Sequence, residues 1–205
     1  MKTPDTYLTI EGKGEGLYKE KGSKFIALAY PVTTEDEIKV ILANLRKEYH
    51  DARHYCWAYQ LGADKNKFRT YDDGEPSNSA GPPILGQIRS NNLTNIVVIV
   101  IRYFGGKLLG VGGLINAYRT AAADALSHAK IINKTVYDLF ELTFAYTIIN
   151  DVMRLIEEEK LTIVKQTFEA DCTIRIGVRL GKSEAIKKRI EKSQQVTIKY
   201  ISRDN

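Results

Sequence analysis

Runs of apolar and polar residues divide the chain into two stretches with different rhythms. Through residues 6–32 short apolar runs alternate with breaks. Tyr7-Leu8-Thr9-Ile10 comes first, then Gly12-Lys13-Gly14, then Gly16-Leu17-Tyr18, then Lys24 to Tyr30 behind a Lys21-Gly22-Ser23 turn. These read as antiparallel strands, the last ended by Pro31. Thr34 with Glu37 three residues on is a capping box. Ile38, Ile41, Leu42 and Leu45 then recur at helical spacing, which predicts a helix to about Tyr49. His54 to Leu61 is the next strand. Gly62 to Pro76 is polar, with Asp72-Asp73-Gly74 as a turn signal. Ser79 stands where it would cap a helix that takes Pro82 in its first turn, turns Ile84, Leu85 and Ile88 inward and stops at Asn91-Asn92.

Ile96 to Ile101 are all β-branched, with no polar break, the mark of a strand covered on both faces. Beyond it lies a stretch with glycines at 105, 106, 110, 112 and 113. A helix to about Ala129 follows, with Leu114, Ala117, Tyr118, Ala121 and Ala125 on the face that would lie close on a sheet. Near Asn133-Lys134 the rhythm changes. Strand (Val136 to Phe144), helix (Ile148 to Glu159), strand (Leu161 to Thr167), strand (Cys172 to Leu180), helix (Glu184 to Lys192, capped by Ser183) and strand (Val196 to Ile201) give the order βαββαβ, a ferredoxin-like unit. The expectation is an α+β protein of two domains, residues 1–134 and 135–205.

Composition changes this picture little. Of 205 residues 43% are hydrophobic and 27% charged, and the net charge is +5, which permits an acidic partner without requiring one. Residues 1–135 hold 18 Lys plus Arg against 14 Asp plus Glu, and the remainder 12 against 11. Cys56 and Cys172 stand alone, without the spacing of a thiolate metal site, and read as buried thiols. No apolar run approaches the ~18 residues of a membrane span and no signal core opens the chain, so a cytoplasmic protein without a membrane partner is expected.

Two stretches carry candidate chemistry. Asp72, Asp73 and Glu75 put three carboxylates in one polar segment. Such a group suits a divalent metal or acid–base work, and equally a solvated turn closed by Asx hydrogen bonds. His54 opens a neighbouring strand. Arg102 ends the buried strand beside Gly105, Gly106, Gly110, Gly112 and Gly113, whose backbone N–H groups at a strand–loop–helix junction suit an anion. Arg102 would either join them in holding that anion or pair with Asp72, Asp73 or Glu75. Gly110-Val111-Gly112-Gly113 is not a dinucleotide fingerprint, because Ile115 occupies the third glycine position. Gly181-Lys182-Ser183 fails as a phosphate loop, because Ile176 occupies its leading glycine. The end of the buried strand, the acidic segment and His54 are expected to converge on one pocket, at the N-terminus of the helix that starts near Gly110.

The run from Asp72 to Gly81, with Arg102-Tyr103-Phe104-Gly105-Gly106 and Leu109 to Leu114, closely resembles the IMPACT/YigZ family. His54 and Ser23-Lys24-Phe25-Ile26 fall where that family has a histidine and its opening strand. The likeness covers about residues 15–130, and the tail is similar to the small C-terminal domain of bacterial members. Asn78-Ser79 stands where the family usually has Gly-Thr, and Asn116 replaces a frequently basic residue. The resemblance implies an N-terminal domain folded like domain IV of elongation factor G (a ribosomal protein domain-2-like β/α sandwich) and a ferredoxin-like second domain. In eukaryotic members it implies translational control. The leading expectation is therefore a non-enzymatic, translation-associated regulatory factor that binds RNA, the ribosome or a translation protein, with neither metal nor cofactor. The alternative is an enzyme or small anionic-ligand-binding protein built on His54, Asp72, Asp73, Glu75, Arg102 and the glycine loop.

Overall fold

The computed structural model describes residues 4–169 and 171–204. The chain divides into two compact units, at Lys134 and Thr135. The first unit contains β1 (Thr6–Glu11), β2 (Gly14–Glu20), β3 (Ser23–Pro31), α1 (Glu35–Glu48), β4 (His54–Leu61), β5 (Lys67–Tyr71), α2 (Gly81–Ser90), β6 (Ile96–Tyr103) and α3 (Gly110–Ser127), with β7 (Lys130–Thr135) at its end. A five-stranded sheet in the order β2-β3-β6-β4-β5 forms its centre, and each neighbouring pair is antiparallel.

β6 is the middle of that sheet. Ile96 to Ile101 are wholly buried because both faces are covered. Ile96, Val98 and Val100 lie with α2 and α3, and Val97, Ile99 and Ile101 lie with α1. The period of two along a strand delivers Arg102 to the α2–α3 face. α3 lies so close to β2 that a Cβ on Gly16 would stand 2.3 Å from Ala125 N. That approach explains the alanines on the buried face of α3.

Sequence and structure agree on α1, where Thr34 Oγ1 accepts from Glu37 N. Glu37 reaches back one residue further than a capping box requires, and accepts from Thr33 N at 2.8 Å. That backbone amide holds the Glu37 carboxyl below its ordinary value. Elsewhere the pattern misled. The polar segment 62–76 contains a strand, β5, most of it exposed. β1 leaves the main sheet and pairs with β7. Ser79 does not cap α2, since its hydroxyl donates to Pro76 O. Gly110, Gly112 and Gly113 belong to the first turn of α3 and not to a loop.

The second unit runs β8 (Tyr137–Ala145), α4 (Ile149–Glu158), β9 (Thr162–Phe168), β10 (Asp171–Arg179), α5 (Ser183–Glu191) and β11 (Val196–Asp204). The sheet order β11-β8-β10-β9, with every pair antiparallel, is that of a ferredoxin-like βαββαβ fold. Its core joins Phe140, Leu142, Phe144, Ile174 and Ile176 to Val152, Ile156, Ile186 and Ile190 of the helices. Ser183 is the first residue of α5 and makes no side-chain cap.

Candidate functional site

The acidic segment, His54 and Arg102 come together, and the sheet register brings them there. Phe25 and His54 are the partners of Arg102 on the two flanking strands, so all three side chains project to the α2–α3 face. Arg102 Nη1 donates to Glu75 Oε1 at 2.6 Å, and the two side chains are 6% and 4% exposed. The same oxygen accepts from the Tyr118 hydroxyl of α3 at 2.8 Å. The guanidinium carbon lies 5.5 Å from the ring centres of both Phe25 and Phe104. Its charge is thus met by one carboxylate and two aromatic faces. Arg102 Nε is buried and has no acceptor among the described residues.

The other two carboxylates point elsewhere. Asp72 Oδ1 accepts from Ala80 N and Gly81 N at 3.0 and 2.8 Å, and its Oδ2 accepts from Asn78 N at 2.9 Å. It therefore caps α2 from nine residues upstream, where a carboxylate suits the positive end of the helix. Asp73 Oδ2 accepts from Tyr55 N at 2.7 Å and faces Arg46 Nη2 at 3.3 Å. His54 Nδ1 lies 2.9 Å from Asp73 O, so the imidazole braces the backbone of the turn. Among the described residues no three His, Cys, Asp or Glu side chains assemble as metal ligands. Of the three acids only Asp72 meets a helix N-terminus, and it is that of α2, not that of α3 as expected. α3 joins them through Tyr118, more than two turns inside the helix.

Two participants carry no sequence motif. The Cys56 thiol lies 3.0 Å from Asp72 O and 3.3 Å from the Tyr118 hydroxyl, and burial pushes it well above the ordinary thiol range. Burial does the same to the Tyr118 phenol. Both are held protonated, so neither is poised as a nucleophile. Tyr118 was legible only as the one large polar residue on a face of alanines. Asn78, in place of a glycine, has φ of 62°. Asparagine tolerates that left-handed conformation better than other residues with a side chain.

The five glycines fall in two places, Gly105 and Gly106 in the loop after β6 and Gly110, Gly112 and Gly113 in the first turn of α3. Gly105 N donates to Ser23 Oγ at 3.1 Å. A Cβ on Gly105 would stand 1.9 Å from Gly22 C, so glycine is required there by close approach. α3 begins without a side-chain cap and without an acidic residue in its first turn. Around that free helix end, Phe104, Leu108 and Val111 are 49%, 85% and 52% exposed. Lys107 and Arg119 are exposed as well.

A two-unit α+β protein, with a buried ion-paired cluster beside an exposed apolar loop, is the class that fold and site define. The family model of the Impact N-terminal domain matches residues 21–126. The chain is 33% identical over 160 residues to an IMPACT family member of Haemophilus influenzae, covering 77% of this chain and 78% of that protein. It is 31% identical over 164 residues to the IMPACT family member YigZ of Escherichia coli, covering 79% and 80%. A crystal structure of a hypothetical protein superposes with a TM-score of 0.73 at 27% identity, over 97% of this chain and 98% of that one. The chain belongs to the IMPACT family. No helix among the described residues is long and apolar enough to cross a membrane.

Proposed function

We propose that this protein is a non-enzymatic, translation-associated regulatory factor that binds RNA, the ribosome or a translation protein through the segment 104–111 and the start of α3. Membership of a family whose eukaryotic members resemblance links to translational control supports the first part. One observation carries the second. Every carboxylate of the acidic segment has an internal partner, while Phe104, Leu108 and Val111 are left exposed around a helix end that lacks a cap. The polar groups that a catalyst would need free are used to hold the scaffold. The test is co-sedimentation with ribosomes and with ribosomal RNA at low salt, where phosphate contacts are strongest. Binding that falls in Leu108→Ser and Lys107→Glu is expected. No association with either at low salt would overturn the reading.

One observation favours the second reading, a small anionic ligand. The Nε–H of Arg102 is a buried donor without an acceptor among the described residues, and such groups are rare in folded proteins. A thermal-shift panel of phosphates, nucleotides and carboxylates tests it. A ligand at a hundred times its Kd adds ~2.7 kcal/mol of stability, and a flat response across the panel rejects it.

A further inference from the structure

The opposite face of the five-stranded sheet carries a feature that the acidic cluster does not use. On β4 and β5, Trp57 is the register partner of Tyr71, and Tyr59 that of Arg69. The Trp57 and Tyr59 rings are stacked within 10° at 5.8 Å, and Tyr71 lies 5.6 Å from Trp57. The Arg69 guanidinium stands 5.9 Å from the Trp57 ring centre. α1 covers the middle of this face, with Ile38 and Leu45 over Val97, Ile99 and Ile101. β5 is one of the two edge strands of the sheet, and Tyr71 is 44% exposed.

The charges around this row are unequal. Lys67 is paired with Glu35 at 2.8 Å and Arg46 with Asp73 at 3.3 Å. Arg69 is exposed and pairs with no carboxylate among the described residues. Packing alone explains Tyr59, which is buried. It does not explain an exposed tyrosine beside a half-buried tryptophan and an uncompensated guanidinium. Flat rings interleaved with arginine on an open sheet face are what unpaired bases stack on, and the guanidinium then takes a phosphate.

We propose that Trp57, Tyr71 and Arg69 form a stacking platform for a short stretch of single-stranded RNA. The inference rests on the translation-associated reading for its partner class, but on residues outside the segment 104–111. The chain has a single tryptophan, so a base placed on Trp57 reports itself. Titration of the full chain with oligouridylate at low salt should quench that fluorescence. Tyr71→Ala should weaken binding by roughly tenfold or more, while Tyr71→Phe, which keeps the ring, retains it. Arg69→Ala should reduce the slope of log K against log salt by about 0.7, one phosphate contact. Absence of binding at low salt overturns the platform. So does RNA binding that ignores Tyr71→Ala, or quenching by an acidic aromatic peptide and not by RNA, which would mark β5 as a peptide-docking edge. Ribosome association lost in Leu108→Ser, with oligouridylate binding unchanged, would support two separate surfaces. Ribosome association absent throughout, with quenching intact, would sink the reading of segment 104–111 and leave the platform.

Discussion

The acidic segment 72–75 and the segment 104–111 lie at one end of the same unit, and they are finished in opposite ways. In the first, Asp72 caps a helix, Asp73 holds a strand amide, and Glu75 is buried against Arg102 and Tyr118. In the second, the chain exposes Phe104, Leu108 and Val111 and enters α3 with no capping side chain. A buried charge is tolerated only when it is paired and hydrogen-bonded, so the first segment tolerates little change. An exposed apolar side chain costs the fold almost nothing. The acidic motif thus reads as the brace, and the glycine-bearing motif as what the brace presents.

The strongest way to break this contrast is to remove one charge of the buried pair. Glu75→Ala leaves Arg102 buried without its counter-ion, a loss of ~3–5 kcal/mol. Glu75→Leu combined with Arg102→Met removes both charges and should recover most of that loss. Urea unfolding followed by Trp57 fluorescence measures it, because the only tryptophan lies in the first unit. If Glu75→Ala unfolds at the wild-type midpoint, Glu75 is not part of the brace. Next in size is the contact that seats segment 104–111 on the turn before β3. Gly105→Ala places a Cβ 1.9 Å from Gly22 C and 2.1 Å from Ser23 N. Backbone must move, at a cost on the order of 1–3 kcal/mol. An unchanged midpoint in the same assay would show that β3 and the 104–111 segment are not locked together.

Asp72→Ala should cost about 1–2 kcal/mol, the range for a lost N-cap, since it frees the amides of Ala80 and Gly81. The expected signature is local. Amide exchange should speed up at the start of α2 while the protection of β6 changes little. Uniform acceleration across the unit, or none at residues 80–81, would contradict the capping role.

What was legible in the sequence, and what was not, follows the range of each interaction. The α1 cap, the bounds of β4 and the covered strand β6 depend on neighbours within a few residues, and local pattern reveals them. β5 was missed because an edge strand exposed on both faces has no alternation to read. The sequence points to Ser79 as the cap of α2 because capping patterns weigh the residue beside the helix, whereas Asp72 acts from nine residues away through the turn. The meeting of Arg102 with the acidic segment followed from where β6 ends and α2 must begin. Which carboxylate it takes did not follow, since that depends on side-chain reach after the turn has folded. Tyr118 joins the cluster only through α3 lying across the sheet, and Cys56 only through β4 running beside the folded acidic turn; no spacing along the chain encodes either.

The smallest expected effect on stability is the one that sharpens the contrast most. Leu108 is 85% exposed, so Leu108→Ala removes almost no buried surface. Its Trp57-reported midpoint should shift by no more than ~0.5 kcal/mol, the range for surface substitutions away from special features. Yet if segment 104–111 is the presented surface, an exposed leucine is what a partner would bury. Burying a leucine side chain contributes ~1.5–3 kcal/mol, of which truncation to alanine removes the larger part. Ribosome association should therefore weaken about five- to thirtyfold in a variant whose fold is unchanged. Asp72→Ala serves as the opposite control, since its loss of binding should scale with its loss of stability. If Leu108→Ala binds as the wild type does, while Asp72→Ala and Glu75→Ala bind poorly even when fully folded, the roles are reversed. The acidic turn would then touch the partner, and the exposed apolar loop would be incidental.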